Sequence, residues 1–308
     1  MPRLRFAGCF AVFVALLPFS VRAEEGKPAR PAEQFFDSDG VKIHFIEQGQ
    51  GEPVVLIHGF TANIQLQWVS SGVMPALAKE YHVIALDNRG HGRSGKPHDP
   101  AAYGVNMVED AIRLLDHLKI ERAHFVGYSM GGFITNKLLS LYPDRVITAT
   151  LGGAGWSREG DARFEIMNQL ADSLDAGTGI APLLKFLTPE GTPPPSDEQI
   201  KTYNQMVLLL NDPKALAAVV RGMKNLMIPE EKILANERPV LALIGSKDPL
   251  KAGVDELQQV KMPHLTVEVI EGADHMDAFG RPEFREGLAK FLDEHRATQP
   301  AAAAAGGK

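Results

Sequence analysis

The sequence predicts an α/β fold, a mostly parallel central sheet with helices on both faces and a helical cap insertion. Three observations predict it. Short runs rich in Val, Ile and Leu alternate along the chain with amphipathic stretches of helical period, the order that builds a parallel sheet through crossover connections. The run at 239–245 is continuously apolar rather than alternating, as a strand buried on both faces is. Between 156 and 237 the alternation stops and only helical patterns remain. The 308 residues are therefore read as one catalytic-sized core, 34–155 and 238–296, with an insertion at 156–237, and not as two independent folds.

Taken in order, residues 24–33, with prolines at 28 and 31, read as a linker. A hairpin at 35–46 turns at Asp39-Gly40, with Val41, Ile43 and Phe45 alternating against Lys42 and His44. Strands are expected at 54–57 and 81–86, then an amphipathic helix at 105–118. A short buried strand at 123–126 leads to a helix at 132–142, carried by Phe133, Leu138, Leu139 and Leu141 and stopped by Pro143. The next strand, 145–155, has no acidic residue at its end. Inside the insertion, Ser196-Asp197-Glu198-Gln199 has capping-box spacing, and Asp212-Pro213 reads as the cap and first residue of another helix. A proline-rich connector at 188–195 separates the insertion helices. Strands at 239–245 and 265–270 and a helix at 282–295 close the core, and the low-complexity tail, 297–308, is expected to be disordered.

Gly127-Tyr128-Ser129-Met130-Gly131 places a serine between glycines where the strand at 123–126 turns into a helix. Strand, tight turn and helix are the order a G-x-S-x-G nucleophile elbow requires, and the glycines clear space around a strained backbone. A serine hydroxyl is a weak nucleophile at neutral pH, so it demands a base, an orienting carboxylate and oxyanion donors. Asp248 follows the strand at 239–245, and His275 lies in the loop after 265–270, on the same edge of the sheet. Ser129 is thus the expected nucleophile, His275 the base and Asp248 the orienting acid. An imidazole base works only when neutral, so activity should fall on the acidic side of neutrality.

Together these motifs resemble the α/β-hydrolase superfamily, from about residue 34 to about 295, in particular its serine esterases and cofactor-free haloperoxidases, whose S-M-G-G stretch is similar to 129–132. His58-Gly59-Phe60 resembles the family's H-G-x oxyanion loop, which implies that the backbone amides of Phe60 and Met130 receive the developing charge. The stretch from Asp87 to Ser94 resembles the D-x-R-G-x-G-x-S loop and is read as structural. The resemblance implies cleavage of a small-molecule ester through an acyl-enzyme, with Trp156 and Met276 at the substrate pocket. If Met167, Met206, Met223 or Met227 of the insertion faces that pocket, an apolar acyl or aryl group is favoured over a sugar or a peptide. The same triad also serves lactonases, thioesterases, carbon–carbon bond hydrolases and perhydrolases, and the fold serves small-molecule receptors that turn over slowly. An aspartate at the elbow would instead have indicated dehalogenase or epoxide hydrolase chemistry.

Other polar residues have plainer readings. His44, His82, His117, His124, His264 and His295 carry no partner motif and are read as packing or surface residues. His58 is expected to brace its loop. Asp274 and Asp277 flank His275 too closely in sequence to orient its ring. The sequence holds no metal-ligand cluster, phosphate loop or cofactor motif, so neither metal nor cofactor is expected.

At the N-terminus, Arg3 and Arg5 precede a short apolar run, and Val21-Arg22-Ala23 resembles a cleavage site, so 1–23 reads as a signal peptide. Cleavage there removes Cys9, the only cysteine, together with three arginines and no acids, which moves the formal charge from -6 to -9. The expected product is an exported, periplasmic or secreted enzyme that needs no disulfide. Its acidic surface offers little to nucleic acid, and no stable membrane association is expected once the signal is removed.

Overall fold

The computed structural model describes residues 31–296 apart from Ala162. The expected signal segment at 1–23, the linker up to residue 30 and the tail at 297–308 lie outside the described residues.

The fold begins with an antiparallel hairpin, β1 (Gln34–Ser38) and β2 (Val41–Gln48). Asp39 and Gly40 both have positive φ, 56° and 79°, the geometry of a two-residue turn whose twist matches the strands. Next come β3 (Pro53–Ile57), α1 (Val73–Leu77), β4 (His82–Leu86), α2 (Val105–Leu118), β5 (Ala123–Tyr128), α3 (Met130–Leu141) and β6 (Val146–Gly152). Five helices follow among the described residues: α4 (Arg163–Asp175), α5 (Ala181–Phe186), α6 (Asp197–Leu210), α7 (Pro213–Gly222) and α8 (Glu230–Leu234). The chain then returns to β7 (Val240–Gly245), α9 (Lys251–Gln259), β8 (Leu265–Ile270) and α10 (Pro282–Glu294). The sheet order is β1-β2-β4-β3-β5-β6-β7-β8, antiparallel through β2–β4 and parallel from β4 onward.

Each central strand feeds two cores, which is why its residues read as a continuous apolar run. Val55 and Ile57 of β3, Ile84 and Leu86 of β4 and Phe125 of β5 pack with residues of α2 and α3. Their alternates Val54, Leu56, Val83, Ala85 and Val126 pack on the other face with residues of α1 and α10, as a side-chain period of two requires. Within the insertion, Ser196 caps α6 through a complete capping box, and the Asp212 side chain accepts from the amides of Lys214 and Ala215 to start α7.

Two expectations need correction. His44 does not alternate outward with Lys42: it is buried, and its Nδ1 lies 2.7 Å from Asp87 Oδ2, because the loop after β4 covers that face of β2. Helix α3 begins at Met130, two residues before its apolar pattern, since Gly131 and Gly132 contribute no hydrophobic signal.

Candidate active site

Ser129 occupies the junction of β5 and α3 at φ 54° and ψ -119°, a conformation that costs a non-glycine residue energy. Its surroundings enforce it. The Ser129 amide donates to Gly152 O at 2.7 Å, and its carbonyl accepts from Phe133 at 3.1 Å. A Cβ on Gly127 would overlap the Gly131 carbonyl, and one on Gly131 would overlap the Ile57 carbonyl. Only glycine lets strand, elbow and neighbouring strand approach so closely.

The three side chains expected from sequence meet here. His275 Nε2 lies 2.9 Å from Ser129 Oγ, and its Nδ1 lies 2.8 Å from Asp248 Oδ2. A carboxylate only accepts, so the Nδ1 proton faces Asp248, leaving the Nε2 lone pair for the serine proton. Asp248 and His275 are both buried, and the other Asp248 oxygen accepts from the Leu250 amide at 2.9 Å. The sheet order explains the convergence: Ser129 follows β5, while Asp248 follows β7 and His275 follows β8 on one side of it. Asp274 and Asp277 bond to backbone amides of their own turn.

On the other side of β5 the loop after β3 brings Phe60 to the same cavity as Met130. His58 sets that loop. Its Nε2 accepts from the Asn88 amide at 3.0 Å, which places the proton on Nδ1, 2.7 Å from Gly59 O. The Ala62 amide reaches the same carbonyl at 3.3 Å. A trans peptide points its N–H opposite to its C=O, so anchoring Gly59 O fixes the direction of the Phe60 N–H. Gln67 Oε1 accepts from the Gly59 amide at 2.7 Å and pins the preceding peptide. Full burial pushes the His58 imidazole pKa down, against the pull of the nearby Asp87 carboxylate.

The loop after β4 supports this arrangement from below. Burial works to raise the Asp87 carboxyl, yet hydrogen bonds from His44 and from the amides of Arg93 and Ile64 hold it at about 2. Arg89 makes a two-pronged contact with Asp110 of α2, at 2.7 and 2.6 Å.

Above the serine is a cavity of about 330 Å³, covered by side chains of α4 to α7. Phe60, Phe133, Leu170, Leu183 and Val207 make its wall apolar, and Met167, Met206 and Met223 also face it. Met276 lies at its rim, half exposed. Trp156 does not line it: the indole is buried in the core, donating from Nε1 to Ile228 O at 2.8 Å. An indole N–H taken out of water needs an acceptor, and the Ile228 carbonyl supplies one. Met227 is likewise absent from the wall.

Tyr128 was not singled out by sequence reasoning. Its hydroxyl donates to the His275 carbonyl at 2.7 Å, and its ring lies 5.5 Å from the imidazole. Burial pushes its pKa well up, so it stays a donor. Its position inside the elbow motif was the available signal. Among the described residues, no group of three or more His, Cys, Asp or Glu side chains is placed to hold a metal ion, and no helix is long and apolar enough to cross a membrane.

The family profile described as alpha/beta hydrolase fold matches residues 52–282. The chain belongs to the α/β-hydrolase family. It is 39% identical over 285 residues to a dihydrolipoyllysine-residue acetyltransferase component of the acetoin cleaving system of Pseudomonas putida, covering 86% of this chain and 70% of that protein. Among solved structures, a thermophilic esterase from Thermogutta terrifontis is 25% identical with a TM-score of 0.68, covering 87% of this chain and all of that one. Est816, an N-acyl homoserine lactone degrading enzyme, is 28% identical with a TM-score of 0.66, covering 84% of this chain and all of Est816. This α/β hydrolase is thus similar to proteins of several substrate classes, and the choice among them falls to its own site.

Proposed function

We propose that this α/β hydrolase cleaves small-molecule carboxylic esters through an acyl-enzyme on Ser129. The observation that carries the reading is the unbroken hydrogen-bonded chain from Ser129 Oγ through His275 to Asp248. Ser129 attacks the ester carbonyl while His275 Nε2 takes its proton, and Asp248 stabilises the imidazolium. The carbonyl oxygen becomes an oxyanion between the Phe60 and Met130 amides, the latter at the positive end of α3. His275 then protonates the leaving alkoxide, and water, activated by the same imidazole, releases the acid. The apolar cavity suits an apolar acyl or aryl group.

A fluorophosphonate probe tests the nucleophile directly. Label is expected on Ser129 and absent from Ser129→Ala, whose turnover should fall by several orders of magnitude. Near-normal turnover in that variant would overturn the assignment. A panel of aryl esters, lactones and thioesters ranks the substrates. A lactone is the second reading, supported by the likeness to Est816 at 28% identity. Export through the segment 1–23 belongs to the same proposal, and sequencing the mature N-terminus should find Glu24 first.

A further inference from the structure

Gln67 does more than pin a loop. It sits in a π-helical turn, Gln65–Val69, is 4% exposed and lines the cavity. A backbone N–H only donates, so the Gly59 amide fixes which end of the carboxamide faces it: Oε1 at 2.7 Å. Nε2 therefore points the other way. Among the described residues it has no hydrogen-bond partner and is not fully sealed from solvent, and because Gln67 lines the cavity we read it as facing that space. The point where a Gly59 Cβ would sit is 3.2 Å from Ser129 Cβ and 3.3 Å from Gln67 Oε1. The carboxamide thus stands one glycine away from the nucleophile, in a wall otherwise dominated by hydrocarbon.

Sheet topology gives the direction. Gln67 belongs to the segment after β3, on one side of β5, while Asp248 and His275 follow β7 and β8 on the other side. The leaving alkoxide must lie by His275, which protonates it. The acyl group then faces Gln67. An all-hydrocarbon acyl chain that expels water leaves the Nε2–H donors unpaired, whereas an ether or carbonyl oxygen on that chain satisfies one.

We propose that Gln67 selects esters whose acyl chain carries a second hydrogen-bond acceptor close to the scissile carbonyl. The inference rests on the acyl-transfer reading above. Its test compares nitrophenyl pentanoate with nitrophenyl methoxypropanoate, an ether oxygen replacing one methylene, in the wild type, Gln67→Met and Gln67→Glu. Intrinsic ester reactivity cancels because the same pair is used in every protein. Losing the hold on Gly59 slows both esters alike and cancels too. The wild-type preference for the methoxy ester, as a ratio of kcat/KM values, should exceed that of Gln67→Met by roughly five- to tenfold, the worth of one net hydrogen bond. Gln67→Glu is isosteric and keeps an acceptor for the Gly59 amide. It turns oxygen toward the cavity, so its ratio should fall to or below that of Gln67→Met. Equal ratios in wild type and Gln67→Met, with Ser129 still labelled by fluorophosphonate, overturn the selection alone. Absence of label from wild-type Ser129 overturns the acyl-transfer reading, and this inference with it.

Discussion

Acidification from pH 7 to pH 5 should destabilise this hydrolase through imidazoles buried in the loops after β3 and β4. His91 is fully buried, with its ring 5.3 Å from that of His58 and 5.7 Å from that of Phe60. Its Nδ1 donates to Arg89 O at 3.2 Å, and its Nε2 has no partner among the described residues. Burial, reinforced by His58, pushes its pKa down to about 3. The unfolded chain's histidine titrates at about 6.5. As pH falls below that value the unfolded state binds a proton that the native state refuses, so stability is full above it and is lost progressively toward pH 3. Linkage gives His91 a loss of about 2 kcal/mol between pH 7 and pH 5, and His58, shifted the same way, adds to it. Asp87, held at about 2, is ionised in both states across this window and contributes nothing to the change. The assay is urea unfolding at both pH values, followed by fluorescence of the buried Trp68 and Trp156. His91→Asn can keep the donor to Arg89 O but does not titrate, so its loss between pH 7 and pH 5 should be smaller by about 2 kcal/mol. Equal losses in the two proteins would refute the reasoning.

Other perturbations reach the site by different routes. Tyr128→Phe leaves the His275 carbonyl without its 2.7 Å donor; a loss of about 1–3 kcal/mol in stability is expected from unfolding curves, with a lower kcat because the imidazole is less firmly held. Gly131→Ala places a methyl against the Ile57 carbonyl; fluorophosphonate labelling should collapse, and a variant that labels at the wild-type rate would show that the elbow tolerates movement. Leu183→Trp puts an indole into the apolar cavity wall; kcat/KM for long-chain aryl esters should drop while that for acetate esters is nearly kept. A parallel loss for both would place the acyl chain elsewhere.

Much of the architecture was legible because each central strand serves two cores. Runs such as 239–245 therefore carry no polar interruptions, and the candidate site residues Ser129 and Asp248 follow the ends of β5 and β7. Motif order placed Ser129, Asp248 and His275 on one rim, and the structure joins them at hydrogen-bond distance. What escaped were contacts between residues far apart in sequence. Tyr128 reaches a carbonyl 147 positions away, and nothing local to Gln67 announces that it meets Gly59. Trp156 misled because a large aromatic residue beside the insertion fits a pocket wall as well as a buried joint, and periodicity cannot separate the two. His44 looked outward by alternation alone, since a covering loop leaves no trace in the strand it covers.

The joint made by Trp156 has a meaning for design as well as for stability. Its indole meets the Ile228 carbonyl, while the Ile228 amide donates back to Ser157 O at 2.9 Å. The two feet of the long excursion between β6 and β7 are thereby stitched to each other, so whatever the chain does between them need not pull on the strands. For an engineer building chimeras, residues 157 and 228 are therefore natural splice points, provided that a replacement roof refills the places that Ala218 and Val219 of α7 take in the core beside α2 and α3.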